Sequence, residues 1–357
     1  MPSVRETDDA VSRRPRLADV ARLAGVSIGA ASKAMSAPGA VRPRTLAAVQ
    51  AAVEQLGYIP SDAGRALASR SSRMVGVVMP TLYHPVYATF FHTLQNTLAE
   101  QDYLTAALSH DFDREKEIIL IERLVRRGVD ALILIGTDHD DRTIELLDKM
   151  SLPHLFSWSS DEAPPKGAIG FSNQTAMRQL VEHLAGLGHR RVAMINGDIQ
   201  HNERARWRLK GVRDATDEHG MELVRVATVP LTITGGLEGY REIDPVSNRI
   251  TALVCSTDLV AAGALHGARQ DGVVVPDDMS ITGFDDIEIA ELLTPALTTV
   301  RIPVRELATR TGHAIVAMLR GEHVPPSHVL STRLIARESS GPARGDPHAT
   351  VTSLVSR

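Results

Sequence analysis

The chain has 357 residues, 43% of them hydrophobic, and a formal net charge of -4. That length exceeds one ordinary domain and predicts two or three, with enough apolar side chains for a sizeable core. No run of about 18 apolar residues is present, which excludes a transmembrane helix, and the lone Cys255 excludes a disulfide framework and fits a reducing cytoplasm.

Residues 1–14 are polar and aperiodic and lack the apolar stretch of a secretory signal, so a disordered tail is expected there. Between Arg13 and Arg73 ten basic residues face three acidic ones, which leaves the rest of the chain clearly acidic. A small basic head on a large acidic body points to a polyanion partner for the head alone.

From Leu17 to Tyr58 the apolar spacing is helical. Leu17, Val20, Ala21 and Ala24 share one face, followed by Ala31, Ala34 and Met35. Leu46, Val49, Val53 and Leu56 then form a third helix that Gly57 stops. In LADVARLAGVSIGAASKAMS, Gly25 supplies a turn and Ser27 a hydroxyl cap for the helix that follows. This spacing predicts a helix-turn-helix over 15–60, whose second helix enters the major groove of double-stranded DNA. Ile28 and Gly29 lie at its tip, Ala30 and Ala31 read as deliberately small surface, and Lys33 can reach guanine acceptors or phosphate. A helical capping bundle without a DNA role is the alternative. Residues 61–73 are weakly apolar and read as a connector.

After Met74, apolar runs such as MVGVVM, ALILIG, VAMING and ALVCS alternate with amphipathic helical segments. This pattern predicts parallel βαβ units, and residues 74–340 suit two doubly wound lobes. The predicted strands end in polar or aromatic residues: Thr81, Asp138, Trp158, Ser159, Asp198, Thr257, Asp258 and Asp285. Ligands of open α/β sheets bind beyond such strand ends, so a shared cleft is expected, with helix capping as the alternative role for each residue. No metal site is read, because His183 and His189 lack a metal-binding spacing. No cofactor is expected either: TGGLEGY fits neither the phosphate-loop nor the dinucleotide pattern. In FDDIE, Asp286 reads as a helix cap beside a ligand-binding Asp285. Residues 341–357 read as a second disordered tail.

The ordered series LADVARLAGVS, ASKAMS, LGYIP, MVGVVMPTLYHPVY, EHLAGLGHRRVAMING, RWRLKG, STDLVAAG and SITGFDDIEIAELLTPALTTVRIP resembles the lactose-repressor (LacI/GalR) family of bacterial transcription regulators, from about Leu17 to Glu338. The resemblance implies an all-α helix-turn-helix head-piece, a hinge, and a periplasmic-binding-protein-like α/β core of two lobes around a small-molecule effector. It places Ile28, Gly29 and Lys33 at base-reading positions, Ser27 and Ser32 at phosphate-contacting ones, and Leu17 also in the DNA-binding set. It places Ser61–Ala68 at a hinge helix whose Leu67 wedges into the minor groove. For the effector it implies Arg208, with Asp285 opposite, Thr257 and Asp258 beside them, and Tyr87 and Leu231 around them; Thr81 at its strand end and the polar Asn202 and Arg204 beside Arg208 complete the candidate set. Trp158 stands where an Asp is usual and offers a flat apolar face. Arg204 with Arg208 raises a sugar acid as one candidate effector.

The family commonly has Arg where Lys33 stands, so the operator half-site is expected to differ. Arg42 stands where a hydroxyl cap is common, and Pro43 partly compensates. The expectation is therefore a cytoplasmic, non-enzymatic homodimeric regulator, a repressor of a pseudo-palindromic operator, answering to a carbohydrate or related metabolite. A solute-binding protein of a transport system is the runner-up.

Overall fold

The structure is a computed structural model, and it describes residues 14–60, 71–161, 168–322 and 327–344. The chain divides into two compact units between Ser72 and Arg73. The hinge helix expected over Ser61–Ala68, with Leu67, lies outside the described residues.

The first unit holds α1 (Leu17–Ala24), α2 (Ile28–Ser36), a single 3-10 turn (Pro38–Ala40) and α3 (Pro43–Leu56). Gly25 and Gly57 adopt left-handed backbone at φ 66° and 58° to close α1 and α3, a conformation that costs glycine nothing. Ser27 caps α2, its hydroxyl accepting from the Ala30 amide at 3.2 Å. Arg42 gives α3 no side-chain cap, and Pro43 takes the first helical position. Val20, Ala21, Ala31, Ala34, Val49 and Ala52 form the buried centre of this small bundle. Ala31 is thus small because α1 and α3 press on it, not because it faces outward, which corrects the reading of Ala30-Ala31 as a common surface.

The second unit is the two-lobed α/β core. Its first lobe runs β1 (Met74–Met79), α4 (Pro85–Ala99), β2 (Leu104–Ser109), α5 (Arg114–Arg126), β3 (Ala131–Ile135), α6 (Asp141–Met150), β4 (His154–Ser159) and β5 (Ile169–Phe171). The second lobe continues with α7 (Asn173–Gly186), β6 (Arg191–Asn196), α8 (Glu203–Glu218), β7 (Glu222–Thr228), α9 (Ile233–Ile243), β8 (Ala252–Cys255), α10 (Asp258–Gln270), β9 (Ser280–Thr282), α11 (Ile289–Leu292) and β10 (Thr299–Arg301). α12 (Val304–Leu319) and β11 (His328–Val329) return to the first lobe, and β12 (Arg333–Ile335) pairs antiparallel with β10 in the second.

The first sheet is parallel in the order β11-β5-β4-β3-β1-β2 and the second in the order β7-β6-β8-β9. Strands such as β3 are buried along their whole length because helices cover both faces, hence their unbroken apolar runs. In both sheets the order reverses beside the first strand of the lobe, at β1 and at β6. Such reversals open a crevice beyond the strand ends. The glycines of TGGLEGY lie in α9, and a Cβ on Gly236 would come 2.1 Å from the Val260 carbonyl oxygen. Gly236 thus permits close packing of α9 on α10, while Gly235 and Gly239 lie against Pro230 and Ile195.

Gly341–Arg344, expected in the disordered tail, pack on the second lobe. The Gly341 carbonyl accepts from His189 at 3.1 Å, the Ala343 amide donates to Leu187 at 2.8 Å, and Arg344 pairs with Asp278. Their composition reads as disordered only until the buried His189 supplies a partner. Among the described residues no helix is long and apolar enough to cross a membrane.

Candidate functional site

Two surfaces gather the predicted residues. On the head unit, the burial of Ala31 and Ala34 fixes the rotation of α2. Ile28, Gly29, Ser32 and Lys33, at i, i+1, i+4 and i+5, are therefore all exposed on the opposite face, Ile28 by 54%. Ser27 is also exposed, and after capping Ala30 its hydroxyl still has a proton to donate. Leu17 differs from these: its side chain is tucked against the head core, and it stands at the first helical position of α1. What that position turns outward is a helix N-terminus, which favours phosphate. Arg42 and Arg44 are exposed at the start of α3. The surface is a lean, cationic helix face.

In the core unit, a cavity of about 560 Å³ lies between the lobes. From the first lobe come Thr81 after β1, Tyr87 on α4 and Trp158 in β4. From the second come Asn202, Arg204 and Arg208 at the start of α8, Leu231 before α9, Thr257 capping α10, and Asp285. The structure thus brings together every predicted effector-binding residue except Asp258, while Ser159, expected at the same strand ends, is buried off the cavity with its hydroxyl donating to Asp161 at 3.3 Å. The Asp258 carboxylate is turned into the second lobe, where it accepts from the Thr299 hydroxyl at 2.5 Å and the Ile287 amide at 2.8 Å. It braces the loop carrying Asp285 from behind. Asp138 and Asp198 also stand off the cavity, held by Arg114 and Arg206 and by His201 respectively. Asp286 is not a helix cap: it bridges Arg301 at 2.5 Å and Arg337 at 2.7 Å.

Arg208 is the best-anchored group in the cavity. Its Nε donates to Asn173 Oδ1 at 3.0 Å, its Nη1 donates to the Ser256 carbonyl at 2.7 Å, and the guanidinium carbon lies 3.9 Å from the Phe284 ring centroid. That leaves Nη2 pointing towards Asp285 Oδ1, at 3.8 Å. Asp285 is buried with neither carboxylate oxygen hydrogen-bonded among the described residues, and His84 Nε2 is 3.5 Å from Oδ2. Burial pushes the Asp285 carboxyl up to about 7, with the Arg208 charge pulling the other way. Burial, aided by Arg208, pushes His84 down to about 4. Buried polar atoms without partners are costly, and here they converge on one cavity.

The first-lobe wall is aromatic. The Trp158 ring lies 4.6 Å from Tyr87 and 5.4 Å from Phe90, is only 1% exposed, and its buried Nε1 has no hydrogen-bond partner among the described residues. Trp158 is therefore both core and cavity wall. Trp158 and Asp285 hold backbone φ of 91° and 109°, strained for side chains of their kind, and such strain gathers where a site fixes side-chain direction.

Sequence reasoning missed Tyr83, His84, Asp111 and Phe112, which also line the cavity. For His84 a signal existed: it precedes Pro85, the first residue of α4, so it sits where a helix start meets a strand end. Asp111 and Phe112 lie on a loop with positive φ that no apolar pattern marks. Among the described residues no cluster of His, Cys, Asp and Glu could hold a metal ion.

Comparison with known proteins agrees with this layout. Residues 16–61 match the family described as "Bacterial regulatory proteins, lacI family", and residues 181–340 match a "Periplasmic binding protein-like domain". The chain is 30% identical to an HTH-type transcriptional regulator from Streptomyces limosus over 95% of its length and 97% of the relative's. It is also 30% identical to the regulator CelR of Thermobifida fusca, covering 92% and 98% of the two chains. Among solved structures, the lac repressor dimer bound to operator and an anti-inducer superposes with a TM-score of 0.81 at 24% identity, covering 92% of this chain and all of that one. A CelR–cellobiose complex does so with 0.68 at 28% identity and the same coverage. These relatives are transcription regulators, and the chain is a DNA-binding regulator rather than an enzyme. It belongs to the LacI family of bacterial regulatory proteins.

Proposed function

We propose that the chain is a repressor that binds a pseudo-palindromic operator as a homodimer and is controlled by a small carbohydrate-type metabolite held between the lobes. The observation that carries this reading is the cavity itself. An anchored Arg208, an Asp285 that accepts no hydrogen bond among the described residues, and a Trp158–Tyr87 wall combine fixed donors, an acceptor and a flat apolar face. A ring bearing hydroxyl groups satisfies all three. A neutral ligand is favoured over a sugar acid, because each arginine already has a carboxylate close by: Glu203 at 3.6 Å from Arg204 and Asp285 at 3.8 Å from Arg208. The CelR neighbour, solved with cellobiose, is consistent with such a ligand.

On the head, Ile28, Gly29 and Lys33 read base edges while Ser27, Ser32 and the α1 terminus at Leu17 meet phosphates. Leu67, in the hinge, wedges into the operator centre. Two half-sites need two heads, hence a two-fold dimer. An apolar groove on the second lobe supports pairing of copies: Leu292 and Val274 are 75% and 52% exposed beside Ala262, Leu265 and Pro295. Effector closure shifts the population of core arrangements that let both heads sit on DNA. This places the protein in the cytoplasm, where the DNA is.

The test pairs two titrations. Fluorescence anisotropy on a duplex covering the protein's own promoter measures operator binding. A panel of neutral sugars and sugar acids, read by the emission of Trp158 and Trp207, identifies the effector. Tight binding of a sugar with no affinity for any duplex would favour a transport solute-binding protein instead.

A further inference from the structure

Beside the cavity, and outside its lining, a carboxylate crosses from one lobe to the other. Glu203 is the first residue of α8 in the second lobe, and it is 5% exposed. Its helix does not need it as a cap, because Asn202 Oδ1 already accepts from the Arg204 amide at 3.2 Å. The Glu203 carboxylate instead reaches the loop after β3 in the first lobe. It accepts from the Thr137 amide at 2.9 and 3.1 Å, the Thr137 hydroxyl at 3.1 Å and the Asp138 amide at 2.7 Å.

The loop is shaped for this approach. Gly136 has φ 105°, and a Cβ there would lie 2.7 Å from Glu203 Oε1. Outside it, the Asp138 carboxylate pairs with Arg206 of the second lobe and with Arg114 of the first at 2.7 Å. Hydrogen bonds to a charged acceptor are the strong kind, and burial strengthens them. The contacts of Glu203 and Arg206 with residues 137 and 138 exist only while the lobes are together.

We propose that Glu203, assisted by Arg206, is a positioning residue that latches the two lobes in the gripping arrangement and so tunes effector affinity without touching the effector. Closure is then partly prepared before ligand arrives, and apparent affinity follows the fraction of molecules already closed. The consequence for affinity rests on reading the cavity as the effector site. The latch itself does not, so it is tested on ligand-free protein.

Trp158 supplies the readout, since it lines the cavity and has no contact with Glu203 among its ring partners. In full-length protein carrying Trp207→Phe, acrylamide quenching of Trp158 is expected to be weak. Glu203→Ala should raise that quenching severalfold and speed hydrogen exchange at the Thr137 and Asp138 amides. Glu203→Gln keeps one acceptor oxygen and should lie between. Arg206→Ala, at a half-exposed side chain, should move Trp158 quenching in the same direction by less. Faster exchange at 137–138 with unchanged Trp158 quenching would reduce Glu203 to a local loop brace and overturn the latch. So would no change in either readout.

Discussion

Replacing Asp285 with Asn should stabilise the core while weakening its ligand response. Burial raises the Asp285 carboxyl from 3.8 to about 7. Between roughly pH 4 and 7 the folded protein therefore keeps a proton that the unfolded chain, titrating near 3.9, has released. Stability must fall as pH rises through this window and level off above about 7. At about 1.4 kcal/mol per pKa unit, the whole change is roughly 4 kcal/mol, and relaxation around the site brings the expected value to about 2–4 kcal/mol. Asn imitates the protonated acid in size and shape and keeps the same backbone strain at φ 109°. Asp285→Asn should then match the parent near pH 4 and gain on it steadily up to pH 7. Urea unfolding followed by the emission of Trp158 and Trp207 at several pH values measures the difference. The reasoning is refuted if the two proteins show parallel pH dependence. Above about pH 7 the parent offers a carboxylate where the variant offers an amide, so there its effector affinity should drop even as its stability rises, the usual trade at a functional site.

Other perturbations have equally definite outcomes. Ser27→Ala removes the α2 cap and should cost the head about 1 kcal/mol, read as a lower melting temperature of the helical head signal with the core transition unmoved. Lys33→Ala should lower operator affinity. If Lys33 meets phosphate, the log–log salt slope shrinks by about 1 on every duplex; if it reads a base, discrimination at one position relaxes by about 1–3 kcal/mol. Gly136→Ala forces a side chain into left-handed backbone against Glu203, and should destabilise the core by about 1–3 kcal/mol in chemical unfolding.

What the sequence discloses and what it hides follow a physical division. The head helices are legible because their apolar spacing, Gly25 and Gly57 are local signals that tertiary structure did not override. The cavity is legible because parallel strands must end somewhere, and Thr81, Trp158, Thr257 and Asp285 stand at those ends. Direction is harder to read than position. Asp258 follows a strand as Thr257 does, yet one residue of rotation at the start of α10 turns its carboxylate inward to Thr299. Ala31 differs from its neighbour Ala30 only in which side of α2 it occupies. Contacts between distant segments leave no local trace at all. Nothing in ERARWRLKG announces that Glu203 will bind amides 66 and 65 residues upstream, nor does GPAR show that its backbone will partner His189.

The claim on which the rest depends is that the exposed face of α2 was kept small and cationic to lie on duplex DNA. Anisotropy of the full-length protein on its own promoter region, repeated from low to high salt, measures this directly. With Lys33, Arg42 and Arg44 of each head neutralising phosphates, a dimer is expected to show a log–log slope on the order of -5, with affinity reduced by Lys33→Ala. A slope near zero, or no binding to that duplex with or without candidate sugars, would contradict it.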